Sequence, residues 1–348
     1  MSSFNISRNE IFFLGVALTS YRIFTNLPLI FTLASGTGAP LSALFSGIFV
    51  LLVAFLFSGL LKKTDILTQN TFAIYPLSLI LLVYLILSSA HTLSEFSSFA
   101  GKVAFPTTPK WFLSLFFITA AGIGALGKIK GVLILSRHFV AFFVVVIFLL
   151  LGSVLVQCNF ENLFPLLGTS AQDTLFKGFS GIFLYTDILL LLFISPVEGF
   201  SSGCRKYLLL GGLLGIFICF SVVLTYTAKI PYPLSREEQF PLYLLTKEVY
   251  YGRFFQRVDA IILLISALWG MLVLSFNLCL MSKILNEVFG ITALKVVVFP
   301  LSALTFFLCV IQQGTVSTLI SVATTILILC LTVFFIIKPK KEVYVDEN

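Results

Sequence analysis

Long apolar runs alternate with short polar links along the whole chain. Ten runs can be read, at about 11–34, 40–61, 72–97, 110–127, 131–156, 179–200, 207–228, 256–282, 293–313 and 315–337. Each approaches or exceeds the roughly 20 apolar residues that a helical membrane span needs. Longer polar links fall near 98–109, 157–178 and 229–255. The last carries Pro231, Pro233, Pro241 and the charged run Arg236-Glu237-Glu238, and reads as an outer loop or a surface helix. The pattern predicts an all-α polytopic membrane protein of about ten spans, with residues 1–348 forming a single transmembrane domain.

Composition sharpens this reading by exclusion. Of the 348 residues 59% are hydrophobic and 11% charged, with a mean hydropathy of +1.08. A soluble domain carries about 25% charged residues, and so few charges cannot cover a water-facing surface. Disordered, collagen-like, coiled-coil and secreted disulfide-rich classes fall with it. The net charge of +7 is no nucleic-acid signal, because the Lys and Arg residues are scattered through the links. With the N-terminus inside, the inner links hold twelve of the 22, among them Lys62, Lys63, Lys128, Lys130, Arg205 and Lys206. The outer links hold eight, five of them in the long 229–258 link. A positive excess in short links marks the cytoplasmic side, so both termini are expected in the cytoplasm. Polar Met1–Glu10 leads straight into the first run, and no cleavable signal peptide is expected. The six cysteines form no CxxC pair and read as small buried side chains. With two histidines, His91 and His138, neither a metal centre nor a cofactor is expected.

An ionisable side chain at membrane depth costs at least about 2.5–3.5 kcal/mol on insertion scales, so each such residue needs a reason. In the first run the segment Thr19-Ser20-Tyr21-Arg22-Ile23-Phe24-Thr25-Asn26-Leu27-Pro28 interrupts the apolar pattern. Pro28 removes a helical hydrogen bond and clashes with the preceding turn. A plain kink with Arg22 reaching for the interface is one reading; its position near mid-depth favours a side chain turned into a cavity. The third run places Tyr84, Ser88, His91 and Glu95 on one helical stripe. Such a stripe faces protein or a wet cavity rather than lipid, so interhelical hydrogen bonding and a functional site both remain open. In the fifth run Ser136-Arg137-His138 lies about a turn inside, where Arg137 can reach the headgroups. The sixth run opens Gly178-Phe179-Ser180-Gly181-Ile182-Phe183-Leu184-Tyr185-Thr186-Asp187, a weak helix with an acid at its centre. The eighth aligns Asp259, Ser266, Gly270 and Asn277 beside Trp269, and the tenth aligns Thr318, Ser321, Thr325 and Thr332; helix packing explains much of both.

Breaks in runs one and six, five spans apart, fit a specific plan. Many secondary transporters are two five-helix inverted repeats whose first helices are both broken, with the substrate held between the breaks. The repeats expected here are about 8–156 and 172–337.

Several motifs point to one family. Asn162-Leu163-Phe164-Pro165-Leu166-Leu167-Gly168 resembles the segment after the fifth helix of spore germinant-receptor B subunits. Leu93-Ser94-Glu95-Phe96 followed by Phe105-Pro106-Thr107-Thr108-Pro109 is similar to that family's third-helix end and link. Phe240-Pro241-Leu242 with Gly252-Arg253-Phe254-Phe255-Gln256-Arg257-Val258-Asp259-Ala260 resembles its approach to the eighth helix, and Gly131 and Arg137 match a pair in its fifth. The resemblance spans about 6–337. It implies the inverted-repeat fold of the amino acid–polyamine–organocation superfamily. It also implies nutrient sensing in the spore inner membrane, in a complex with an A subunit and a lipoprotein C subunit.

No enzyme is expected, since no Walker A or HExxH motif, paired-Asp motif or Ser–His pair is seen. The leading expectation is a germinant-binding receptor subunit. Thr19, Ser20, Tyr21, Arg22, Gly181, Tyr185 and Asp187 would bind a small nutrient such as an amino acid. Asp187 and Glu95 would meet an ammonium or ion, with Arg22 as carboxylate partner or as their counter-ion. His91, Glu95 and Asp259 are candidates for an ion or proton relay. The rival expectation is a stand-alone proton-coupled amino acid permease.

Overall fold

A computed structural model of the chain describes residues 7–60, 74–168, 170–179, 181–194, 204–235, 238–247, 258–291 and 294–311. The tenth run, both termini and most of the Gly252–Ala260 motif lie outside the described residues, and so does Ser180. Every regular element described is helical. Among the described residues five segments are long and apolar enough to cross a membrane, namely Leu27–Ser58, Tyr75–Val103, Lys128–Leu155, Lys206–Lys229 and Asp259–Asn286. Lys110–Leu126 and Val297–Ile311 are shorter apolar helices.

The first run is two helices. α1 (Arg8–Ser20) starts where the Glu10 carboxylate accepts the Ser7 N–H at 3.1 Å, and it stops at Ser20. A 3-10 turn, Tyr21–Phe24, follows, and Thr25 leaves helical space at φ −108°, ψ −115°. α2 (Leu27–Ser35) then begins with Pro28 in its first turn. The missing N–H matters little there, because first-turn donors have no partner within the helix. Pro28 therefore starts a new helix rather than kinking an old one.

α3 (Ala39–Leu60), α4 (Ile74–Val103), α5 (Lys110–Leu126) and α6 (Lys128–Leu155) follow. α4 runs 30 residues, about 45 Å at 1.5 Å per residue, and so continues past the end of its apolar run. The sixth run is broken as the first is. α7 (Ala171–Phe179) begins inside what reads as a polar link, and the chain continues as 3-10 turns Ile182–Leu184 and Thr186–Phe193. α8 (Cys204–Lys229) returns across the layer. Short helices α9 (Tyr232–Ser235) and α10 (Pro241–Lys247) occupy the long link before α11 (Val258–Phe289) and α12 (Leu294–Ile311).

Small residues let α1 and α8 approach to backbone contact, as in tightly packed membrane helices. A Cβ on Gly211 would lie 2.2 Å from the Phe12 carbonyl oxygen, and one on Gly215 would meet the Thr19 hydroxyl. α3 is held against α7 by Ser42 and Ser46, whose hydroxyls donate to the Thr174 and Gly178 carbonyls at 2.7 and 2.5 Å. α11 packs on α4 and α5, with Gly270 under the Phe96 ring and Ser275 donating to the Ala121 carbonyl at 2.9 Å. Two glycine spacings shared with enzyme motifs do occur in the chain. Gly122-Ile123-Gly124-Ala125-Leu126-Gly127 falls in α5 and the residue after it, with no strand before it, which removes the nucleotide-loop context. Gly199-Phe200-Ser201-Ser202-Gly203 has the spacing of a nucleophile elbow and lies outside the described residues.

Candidate functional site

The two broken segments meet at a buried carboxylate. Asp187, on the 3-10 turn of the sixth run, accepts from four side chains. The Tyr21 hydroxyl lies 2.5 Å from Oδ2 and the Arg22 Nη2 3.3 Å from the same atom. The Tyr84 and Ser88 hydroxyls reach Oδ1 at 2.6 and 3.3 Å. Arg22 and Asp187 are both 0% exposed and form an ion pair. A buried carboxylate needs partners for its lone pairs, and these four donors supply them. The Arg22 guanidinium also lies over the Tyr21 ring at 5.0 Å and the Phe183 ring at 5.8 Å, where aromatic faces attract a cation.

Arg22 is nevertheless incompletely satisfied. Its Nε and Nη1 are buried with no hydrogen-bond partner, and so is the Oδ1 of Asn26. A buried unmet polar atom costs about 1–3 kcal/mol. Two donors and one acceptor on the same interrupted segment therefore stand ready for a complementary group.

A second polar pair lies further along α4. His91 Nε2 is 3.1 Å from Glu95 Oε1, and the Thr25 hydroxyl donates to Glu95 Oε2 at 3.0 Å. The stripe Tyr84, Ser88, His91 and Glu95 thus faces both breaks: its first half meets the sixth run, its second half the first.

The expected site residues divide into three groups. Tyr21, Arg22 and Asp187 come together, joined by Tyr84, Ser88 and Thr25. Gly181 and Tyr185 line the same crossing through Phe31, whose ring would collide with a Cβ on Gly181 and lies 6.2 Å from the Tyr185 ring. Thr19 and Ser20 belong to the wall only by backbone, since their hydroxyls are spent on the Gly15 and Val16 carbonyls at 2.8 and 2.7 Å. Asp259 stands apart. It is the second residue of α11, its bond is to the Tyr243 hydroxyl at 3.5 Å, and about 15 Å of helix separates it from Trp269. The helical stripe that linked Asp259 to Asn277 is real, but it is longer than the site. Trp269 does reach the break: its indole N–H donates to the Ala17 carbonyl at 3.2 Å, and its ring packs 5.3 Å from Phe24.

Arg137 is exposed on α6, in keeping with a headgroup role. An apolar cavity of about 120 Å³ between α4, α5 and α11, lined by Phe96, Phe117, Leu263 and Met271, lies off this polar cluster. Among the described residues no three His, Cys, Asp or Glu side chains gather in a metal-binding group.

Residues 24–317 match the family model described as Spore germination protein. The chain belongs to that family. It is an integral membrane protein, and its fold is that of secondary transporters. A nucleobase-cation-symport-1 family transporter, solved in a closed conformation with bromovinylhydantoin bound, superposes with a TM-score of 0.62 at 11% identity. That alignment covers 94% of this chain and 77% of the transporter. Two variants of the manganese transporter of Eremococcus coleocola superpose at TM-scores of 0.53 and 0.52, each at 10% identity, over 93% of this chain and 76% of theirs. Identities this low speak for the fold alone, and the fold is the one expected from breaks in the first and sixth runs. The sequence matches no curated protein.

Proposed function

We propose that this chain is the integral membrane B subunit of a bacterial spore nutrient-germinant receptor. It binds a small nutrient such as an amino acid where the first and sixth spans cross, and passes the resulting conformational bias to an A subunit and a lipoprotein C subunit. It sits in the spore inner membrane with both termini cytoplasmic. The family match supports the setting. The observation that carries the site is on Arg22: Nε and Nη1 are buried and unmet, and Asn26 on the same interrupted segment has an unmet Oδ1. A carboxylate oxygen would accept from an unmet guanidinium N–H, and an N–H would fill the amide oxygen. Asp187 already holds Tyr21, Arg22, Tyr84 and Ser88, so it serves as the counter-ion of Arg22 rather than as an ammonium ligand.

A ligand shifts a conformational equilibrium only by its differential affinity for the two states. The closed packing of Phe31 on Gly181 supplies one such state. Gly181→Trp should abolish or displace the dose response of nutrient-triggered germination. An unchanged response, in receptor shown to be present, moves the site elsewhere.

A second reading, a stand-alone proton-coupled amino acid permease, is favoured by the transporter fold of the structural neighbours. Net uptake of labelled amino acid by the purified chain in liposomes would support it over the receptor.

A further inference from the structure

Counting charge in the buried cluster leaves a remainder. Arg22 supplies one positive charge, and Asp187 and Glu95 supply two negative ones. Asp187 is matched by Arg22 and three hydroxyls, whereas Glu95, which Arg22 does not reach by hydrogen bond, meets the Thr25 hydroxyl and the imidazole of His91 among the described residues. The side chains of His91 and Glu95 are 10% and 9% exposed. A net negative charge at that depth carries a heavy desolvation cost unless something offsets it. We infer that His91 and Glu95 form a one-proton binding site, independent of which nutrient the protein takes, and that this proton balances the cluster and keeps Glu95 away from Arg22.

The geometry gives the proton a place and a consequence. Its place is between Nε2 of His91 and Oε1 of Glu95, buried atoms 3.1 Å apart that have no other hydrogen-bond partner. Among the described residues, the titratable and charged side chains around the pair can be named. From the first run these are Arg22 and Tyr21, from the sixth Asp187, and from α4 itself Tyr84. Towards the end of α4, Lys110 of α5 donates to Ser94, Lys102 to Gln239, and Tyr243 of α10 to Asp259 of α11. None of these supplies the missing positive charge. When the proton leaves, Glu95 is left uncompensated, and Arg22 on the adjoining break offers it open donors, the unmet Nε and Nη1. Thr25 transmits the change directly, because its hydroxyl lies 3.0 Å from Glu95 and 3.2 Å from the Arg22 carbonyl, at the residue where the first run leaves helical space. Proton binding and the conformation of the break are thereby linked.

Two features of the sequence make this measurable in the full chain in lipid nanodiscs. The only other histidine, His138, is exposed on α6, and the only other tryptophan, Trp111, is exposed on α5. A Trp111→Phe/His138→Asn parent therefore carries one reporter on the break, Trp269, and one on the proton site, His91. The parent should show a pH-dependent Trp269 emission with a one-proton slope. Glu95→Gln needs no balancing proton, so its emission should stay flat at the acid-side value. Its ¹³C-labelled His91 resonance should titrate at least one pH unit away from the parent's. His91→Gln, which keeps the carboxylate, should move the midpoint of the Trp269 response by at least one pH unit. A parent whose Trp269 emission ignores pH, or variants whose responses coincide with the parent's, would overturn the assignment. Should Glu95→Gln fail to fold, the His91→Gln midpoint decides alone.

Discussion

Neutralising both ends of the Arg22–Asp187 pair should cost no more than neutralising either end alone. Asp187→Asn leaves a guanidinium at 0% exposure without its counter-ion, and turns an amide N–H toward donors that Oδ1 and Oδ2 now accept. Arg22→Gln leaves the carboxylate with three hydroxyls and no charge partner. Breaking a buried pair from one side costs about 3–5 kcal/mol, because the remaining charge is uncompensated. The two single variants would therefore sum to about 6–10 kcal/mol if they were independent. They share one interaction, so the double variant, which buries no charge, should lose only what one alone loses. The expected coupling is at least about 2 kcal/mol, within the range seen for contacting residues. Equilibrium unfolding in mixed detergent micelles, run on the four proteins of the cycle, measures it. Additive losses, or a single variant costing under about 1 kcal/mol, would refute the pairing as the element that joins the two spans.

Three further outcomes follow from other contacts. Tyr84→Phe removes the 2.6 Å bond to Asp187 and should cost about 1.5–3 kcal/mol in the same unfolding assay, the range for hydrogen bonds to charged groups. Gly211→Ala places a methyl 2.2 Å from the Phe12 carbonyl oxygen, so α1 and α8 must separate. A loss of about 1–3 kcal/mol, the usual cost of overpacking, should appear as a lower midpoint, with a further drop for Gly211→Val. Asp259→Asn should leave nutrient-triggered germination unchanged, since its carboxylate contacts Tyr243 at the start of α11 and not the crossing. A shifted dose response for that variant would bring Asp259 back into the site.

The helical class and both interruptions could be read from the chain because each has a local cause. Arg22, Pro28, Gly178, Gly181 and Asp187 each disturb an apolar run at a recognisable place. The stripe on α4 was legible for the same reason, as 3.6-residue periodicity fixes which residues share a face. What periodicity does not fix is depth and partner. Arg22 and Asp187 meet across 165 residues of sequence, and nothing local distinguishes a counter-ion from a ligand contact. Depth also misplaced Asp259: α11 has 32 residues, so one stripe along it passes through more than one environment. The hydroxyls of Thr19 and Ser20 looked available only because back-bonding onto the preceding turn leaves no mark in the sequence. The early start of α7 was hidden by its own polarity, since Gln172, Asp173, Thr174 and Lys177 made 171–178 read as link.

The two halves of the first span have different allegiances. α1 is keyed into α8 through glycine-backed contact with the main chain, and the Trp269 indole clasps its final turn at Ala17. α2 leans mainly on α3 and α7 and less on α8, with Phe31 seated on Gly181 and Gly36 at its end under the Tyr232 ring. Any displacement is thus divided at Tyr21–Asn26, so that one half can travel while the other stays anchored. That short stretch works as a pivot, and a charge relocated there would be felt as torque on one arm rather than as a shift of the whole rod.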